Sequence, residues 1–347
     1  MARTWTPLHA MLHRTLRSRH LLERNQRILV AVSGGQDSLC LIKLLLDLQS
    51  KWGWQLGIAH CDHRWRPDSE ANAKHVERLA HNWQTSFHLD VANQKLDSEA
   101  AARQWRYQTL STIAQENNYK CIVTGHTKSD RAETLLYNLI RGTGADGLQA
   151  LTWQRPLSSG LSLVRPLLEF TRAQTAQFCQ DMQLVVWEDS TNQNLKYARN
   201  RIRQELIPYL QTHFNPQVEQ ALAQTSELLQ AEVEYIELAA HQLKQQAMPG
   251  PDCNAEYPNR LGLNRRVLQP APLVLQRRVM RQLLQQALPC APSFEQIEKL
   301  TALITAPNRS RTDPFSGGAI AEVEGDWIWV NLAKSAAFGR LSETDNP

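Results

Sequence analysis

The chain has 347 residues, 42% of them hydrophobic, with a formal net charge of +4. At ~100–200 residues per domain this is a chain of about two domains with sizeable cores, which excludes general disorder. No run approaches the ~18 consecutive apolar residues of a membrane span, which excludes a transmembrane helix.

The first 27 residues are rich in Arg and contain no acid before Glu23. Two readings fit: an organelle transit peptide, or a basic amphipathic helix leading into the first strand. The second is preferred, because the first strand starts near Ile28 and leaves little to cleave. There is no apolar h-region of the kind that directs secretion. Strands are expected over 27–32, 55–60, 86–91 and 120–125, with helical patterns over 38–48, 69–83 and 98–117 between them. Strands alternating with helices of this length predict βαβ units and a parallel sheet with helices on both faces. Ligands in such sheets sit beyond the C-terminal ends of the strands. That places residues 33–38, 60–63 and 126–133 on one rim.

An extended segment follows at 163–168, then helices at 171–183 and 200–213. Residues 217–247 read as one long helix rich in Gln, Glu and Ala. Met248-Pro249-Gly250-Pro251-Asp252 breaks the chain. Beyond it come a basic helix at 271–288, a helix at 294–305 and a hairpin at 319–330 turning at Glu324-Gly325-Asp326. The expected partition is a first domain 1–214, a helical linker 215–250, a small α+β domain 251–334 and a tail 335–347.

Charge is uneven along the chain. Residues 1–214 carry 26 Lys and Arg against 19 Asp and Glu, and residues 255–311 carry nine against three. A polyanion can meet both stretches, although an ordinary solvated surface explains the charge equally well. Six cysteines, at 40, 61, 121, 179, 253 and 290, form no Cys-x-x-Cys pair. That argues against a zinc ribbon, an iron–sulfur cluster or a dithiol site. It suits a reducing, cytoplasmic compartment.

The strongest signal is Ser33-Gly34-Gly35-Gln36-Asp37-Ser38, directly after an apolar strand and opening a helix. Two glycines let the backbone turn sharply and approach a ligand. The free N–H groups of the turn and helix start then face negative charge, with Ser33 and Ser38 as added donors. An acid here makes sense if a divalent cation bridges Asp37 to phosphates. There is no G-x-x-x-x-G-K-[ST] element, so this is not a Walker A loop. It resembles the pyrophosphate loop of the N-type ATP pyrophosphatases.

Later segments narrow the resemblance. They are His60-Cys61-Asp62-His63-Arg64-x-Arg66-Pro67-Asp68-Ser69, Arg103-x-x-Arg106-Tyr107, Thr124-Gly125-His126 running to Asp130 and Glu133, Arg141-Gly142-x-Gly144, and Arg165-Pro166-Leu167-Leu168. Glu188-Asp189-Ser190-x-Asn192 and Arg199-Asn200-x-Ile202-Arg203 complete the set. In this order they resemble the tRNA(Ile)-lysidine synthases over roughly residues 25–210. Departures stand at Thr127, where a second His is common, at Ser129, where an Asp is common, and at residues 189–192.

The resemblance implies an adenine nucleotide alpha hydrolase-like fold and an ATP-pyrophosphatase-type catalytic domain. It implies Mg²⁺ and ATP, free L-lysine, and an isoleucine tRNA with a CAU anticodon. ATP adenylates the C2 oxygen of the wobble cytidine, and the lysine ε-amine then displaces AMP. Codon reading changes from AUG to AUA and charging from Met to Ile. ATP would meet Ser33, Gly34, Gly35, Gln36, Asp37, Ser38 and His60, with Asp37 on the metal.

Asp130 and Glu133, three apart at a helix start, share a face. They suit the lysine ammonium groups, with Arg106, or Arg103 beside it, on its carboxylate; helix-dipole stabilisation and a solvated salt bridge are the plainer alternatives. His126 can take a proton or polarise the reacting group. Arg199 and Arg203 can neutralise the adenylate and its phosphates, or touch only tRNA backbone. Arg277, Arg278 and Arg281 can contact tRNA phosphates, or form a solvated face. His60 and His63 are spaced like metal ligands, but no second pair follows at zinc-finger spacing. The C-terminal region 292–332 resembles the first substrate-binding subdomain of the family. Two rivals are a cytidine thiolase, which would want cysteine pairs, and a non-catalytic tRNA-binding module, which the intact loop argues against. The oligomeric state is open, a homodimer among the alternatives.

Overall fold

The computed structural model describes residues 5–94, 97–187, 194–249 and 260–332. The chain separates into two compact units, residues 1–230 and 231–347.

The first unit is built on a six-stranded sheet in the order β3-β2-β1-β4-β6-β5. Its strands are β1 (Arg27–Ala31), β2 (Gln55–Asp62), β3 (Ser86–Val91), β4 (Cys121–Thr124), β5 (Gln154–Ser158) and β6 (Leu161–Val164). All neighbours run parallel except β5, which is antiparallel to β6. Ile28, Leu29 and Val30 of β1 are all fully buried. That unbroken apolar run marks a central strand covered on both faces.

One face is covered by α1 (Pro7–Ser18), α2 (Gln36–Trp52) and α7 (Arg172–Asp181). Leu12, Leu16, Leu41, Leu45 and Phe178 pack there against Ile28, Val30 and Val123. On the other face α4 (Glu99–Glu116) packs Tyr107, Leu110 and Ile113 on Leu29, Ala59 and Ile122. The Arg-rich N-terminus is therefore helix α1, seated on the sheet. The remaining helices of this unit are α3 (Ser69–Asn82), α5 (Lys128–Ile140), the short α6 (Ala145–Leu148), α8 (Ala198–Arg201) and α9 (Ile207–His213). The long α10 (Val218–Ala247) begins in it.

Three local features differ from the sequence expectation. The segment 163–168 is extended only to Val164, and it pairs with β5, which the sequence reading missed. β5 is an edge strand carrying Pro156 and a register shift at Pro156/Ser158. Proline is tolerated at an edge but erases a strand signal. β2 runs on to Asp62, so Cys61 and Asp62 lie in the strand rather than in the loop after it. The helix expected at 200–213 is interrupted by a π turn at Ile202–Leu206, where the Ile207 N–H bonds the Ile202 carbonyl. Pro208 has no N–H for the preceding turn, and its ring would crowd the carbonyl of Gln204; the widened turn upstream relieves both.

The second unit holds a three-stranded antiparallel sheet, order β7-β9-β8, from β7 (Arg260–Asn264), β8 (Ile320–Glu324) and β9 (Trp327–Asn331). β8 and β9 are the expected hairpin, turning at Gly325 with φ +61. Helices Leu273–Ala287 and Phe294–Ala302 bury Val279, Leu283 and Leu300 with Val323 and Val330.

Arg131 anchors α5 to the first turns of α10. It is 2% exposed, and its Nε donates to the Leu151 carbonyl at 2.8 Å. Its Nη1 donates to Glu227 at 2.6 Å, and the Trp153 indole and Arg19 donate to the same carboxylate at 2.8 and 2.7 Å. Truncating one partner of such a pair strands a buried charge. Because Glu227 is about a third exposed, the cost is below that of a fully buried pair. Glu227→Ala is expected to lower the free energy of urea unfolding by ~2–3 kcal/mol. A loss under ~0.5 kcal/mol, the range of a plain surface change, would show that the clamp contributes no stability.

Candidate active site

The C-terminal ends of β1, β2 and β4 open into a cleft of about 820 Å³. Ser33, Gly35, Gln36, Asp37 and Ser38 line it beside His60, Arg106, His126, Asp130, Glu133, Arg199 and Arg203. The structure thus brings together the sequence-selected residues of the first unit, with Gly34 just beneath the surface.

The phosphate loop is tied on itself. The Ser38 hydroxyl donates to the Gly35 carbonyl at 2.8 Å and accepts from the Ser33 N–H at 3.1 Å. Gly34 has φ +87, in the left-handed region that favours glycine. A Cβ there would lie 2.3 Å from Asn72 Oδ1. Asn72 braces the loop by donating to the Ser33 carbonyl at 2.9 Å, and the Trp187 N–H donates to the Gly34 carbonyl at 3.0 Å. Gly125, at the end of β4, abuts the loop from the other side: a Cβ there would sit 2.8 Å from the Asp37 carbonyl oxygen. Ser33 is left exposed at the start of α2, where a helix N-terminus favours an anion. The Gln36 amide, by contrast, is spent on α7, donating to the Arg172 carbonyl at 2.9 Å.

Three carboxylates converge on one guanidinium that the sequence reading did not select. Arg172 donates through Nη1 to Glu133 at 2.7 Å and through Nη2 to Asp130 at 2.6 Å; its Nε lies 3.5 Å from Asp37 Oδ2. Arg203, on the π turn, grips Glu133 with both ends of its fork at 2.8 and 2.9 Å. Glu133 is 3% exposed and both of its oxygens are engaged. Thr127, at the departure from the family pattern, caps α5: its N–H and hydroxyl donate to Asp130 at 2.7 and 2.8 Å. Ser129 at the second departure donates to Glu219 and accepts the Arg172 N–H.

Burial alone would raise the Asp130 carboxyl, but Arg172 and the Thr127 bonds outweigh it and hold it below the ordinary value. Asp37 goes the other way. Burial and the neighbouring charge of Asp130 raise it, against weaker help from Arg172 and a hydrogen bond from Thr175. Asp37 is therefore the carboxylate of the set most short of positive charge.

His126 stands at the end of β4, its Nδ1 2.8 Å from the Thr124 hydroxyl. Burial, aided by Arg165 and Arg106 and opposed by Asp130, brings its pKa down to about 3, so the ring is neutral at pH 7. His60 bonds the Val32 carbonyl through Nδ1 at 2.7 Å and is also lowered by burial. Arg103, Arg106 and Arg155 place their guanidinium carbons 5.1, 5.4 and 4.9 Å from the Tyr107 ring centre. Burial would raise this phenol; Arg106, Arg103 and Arg165 bring it down to about 8. Arg199 lies 3.5 Å from Glu99 and stacks over Tyr137.

The C-terminal arginines differ from the free cationic row the sequence suggests. Arg277 is forked onto Glu298 at 2.7 and 2.8 Å, and Arg278 donates to Glu237 at 2.8 Å. Arg281 is half-buried. Residues 188–192 lie outside the described residues. Among the functional residues missed, Arg172 had one signal: a cation in the first turn of a helix opposes the helix dipole and wants a reason.

The chain matches the PP-loop domain family over residues 8–210 and the TilS substrate binding domain family over residues 263–322. It is 72% identical to a tRNA(Ile)-lysidine synthase from Nostoc sp. over 93% of this chain and 96% of that one. It is 50% identical to one from Synechocystis sp., over 93% and 97%. Among solved structures, a tRNA thiolase from Methanococcus maripaludis with its 4Fe-4S cluster shares the fold at 14% identity. The TM-score is 0.54, over 64% of this chain and 78% of that one. That distant likeness is one of fold alone, and the near full-length identities go further: this chain belongs to the tRNA(Ile)-lysidine synthase family of PP-loop proteins.

Proposed function

We propose that this chain uses ATP to join L-lysine to C2 of the wobble cytidine in the CAU anticodon of an isoleucine tRNA. The observation that carries the reading is a single cleft in which a phosphate loop faces a carboxylate–guanidinium network. The catalytic domain is taken as residues 1–214, the linker as 215–250 and the substrate domain as 251–334, with the cytoplasm as the compartment.

In the first step the cytidine C2 oxygen attacks the α-phosphorus of ATP, and pyrophosphate leaves with the bridging oxygen. The N–H groups at the start of α2 and the Ser33 hydroxyl hold that leaving group, joined by the Ser38 hydroxyl once it releases the Gly35 carbonyl. Arg199 and Arg203 offset the charge that develops on the phosphates. Mg²⁺ is commonly held by one or two carboxylates plus substrate phosphates. Asp37, short of positive charge on the loop, fits that role, and the ion would neutralise phosphate charge there. His60 packs beside the nucleotide as a neutral ring.

In the second step the lysine ε-amine attacks C2, the C2–oxygen bond breaks and AMP leaves. Asp37, Asp130 and Glu133 are three acids against the two guanidiniums Arg172 and Arg203, and the metal on Asp37 would offset the charge that remains, so lysine is met by the carboxylates of α5. Asp130 and Glu133 face the lysine ammonium groups, which must then take over part of the bonds now made by Arg172 and Arg203, and Arg106 takes the carboxylate through its fork. His126, a neutral ring at the end of β4, polarises the reacting group, and the proton that the attacking amine sheds passes to solvent. Arg277, Arg278 and Arg281 are assigned to tRNA phosphates; Arg277 and Arg278 must then exchange Glu298 and Glu237 for phosphate on binding.

Incubation with ATP and radiolabelled lysine tests the function. Label is expected in an isoleucine tRNA transcript bearing CAU and at background in elongator methionine tRNA; equal labelling of both, or of neither, would overturn the reading.

Glu133→Gln keeps the size and removes the charge. Loss of a hydrogen bond to a charged group is worth ~1.5–3 kcal/mol, so the lysine requirement should rise roughly ten- to two-hundred-fold. Pyrophosphate release before lysine addition should persist. Normal lysine dependence with no pyrophosphate release would instead place Glu133 on the nucleotide side.

A further inference from the structure

Arg103 and Arg106 line the cleft from α4. Arg172 and Arg203 are bound to carboxylates, but these two make no ion pair among the described residues. Nor do Arg155 on β5 and Arg165 after β6, which gather at the same place. Burial, and then the charges of Arg106, Arg199 and Arg155, hold the Arg103 guanidinium below its ordinary value, against the pull of Tyr107. This part of the site is therefore rich in positive charge and short of an anion.

What these cations share is one aromatic ring. Tyr107 has the guanidinium carbons of Arg103, Arg106 and Arg155 at 5.1, 5.4 and 4.9 Å from its ring centre. The ring is 9% exposed and packs with Leu29, Ala59 and Ile122 of the sheet, so the core fixes its position. An aromatic face attracts a cation within about 6 Å through its quadrupole, more strongly where water is excluded. It does so without accepting the N–H bonds of the guanidinium fork. A carboxylate in its place would take both bonds of a fork and cancel its charge, as Glu133 does with Arg203. A ring leaves charge and donors to a ligand.

We propose that Tyr107 is a positioning residue for lysine: its ring holds Arg106 at the cleft with the guanidinium fork unspent, ready for the carboxylate of the amino acid. The role rests on the lysine carboxylate assigned to Arg106 in the proposed function. Tyr107 touches no substrate and acts through the arginine. The positive charge of Arg103 and Arg155 beside it favours the same anion.

The test measures kcat, KM for lysine and KM for ATP in lysine incorporation, and Kd for the CAU isoleucine tRNA transcript. Tyr107→Leu fills most of the space and removes the aromatic face. It should raise KM for lysine about 5- to 30-fold, with kcat, KM for ATP and tRNA Kd unchanged within twofold. Tyr107→Phe keeps the face and should stay within twofold of the unaltered chain in every constant. In an Arg106→Ala background, Tyr107→Leu should cost less than a further twofold in KM for lysine, because residues that act through one another are not additive. Tyr107→Met takes the place of Tyr107→Leu should the latter not fold.

A purely structural ring would lower kcat through loss of folded enzyme and leave KM for lysine where it was; that result would overturn the role. Equal rises in Tyr107→Phe and Tyr107→Leu would also overturn it, by placing the effect on the hydroxyl. So would a full additional loss in the Arg106→Ala background, or a rise in KM for ATP or in tRNA Kd instead. An unchanged KM for lysine in Arg106→Ala itself would overturn the carboxylate assignment and this role with it. If the unaltered chain incorporates lysine while any of these holds, the proposed function stands. If it incorporates none, the proposed function fails as well.

Discussion

Arg172 is the constraint on which the site depends. Asp37 comes from the helix after β1, and Asp130 and Glu133 come from the helix after β4. Like charges packed this closely would push one another toward protonation. One guanidinium between all three, and a second on Glu133, keep Asp130 ionised and leave Asp37 as the carboxylate in need of a cation. Buried ion pairs of this kind are weak evidence for stability. Here they fix distance: the loop that would hold phosphates and the helix that would hold an amino acid are tied through one side chain.

The fold supplies the rest by close approach of backbone. A parallel sheet delivers the ends of β1 and β4 side by side, and glycine at position 125 lets β4 meet the start of α2 with no side chain between. Neither element could carry a larger residue there without moving the phosphate loop. The π turn at Ile202–Leu206 does the same for Arg203. Pro208 forces the helix to widen, and Arg203 lies within the widened turn with its fork on Glu133. Local irregularity and site geometry thus have a common cause in one proline.

Much of this was legible in the residues. Two glycines between an apolar strand and a helix announce an anion loop, and regular alternation of strands and helices announces a parallel sheet. The same periodicity says little about an edge, so β5, half-exposed and bearing Pro156, passed unseen. Arg172 was missed because a helix start in sequence shows nothing of the acids 39 to 135 residues away that surround it. Arg277 and Arg278 show the mirror-image case. In sequence they are adjacent cations on a basic helix, but their partners Glu298 and Glu237 stand 21 and 41 residues away. Local pattern reports elements; long-range charge pairing is decided only when the elements pack.

The central claim is that one cleft performs two ordered steps, with the tRNA base and not the amino acid receiving the adenylate. The most direct measurement is pyrophosphate release in a single turnover with ATP and CAU isoleucine tRNA, before and after lysine is added. The account predicts up to one pyrophosphate per bound tRNA without lysine, and AMP released only when lysine arrives. Lysine-dependent pyrophosphate release in the absence of tRNA would mean that the amino acid itself is activated, and would contradict it.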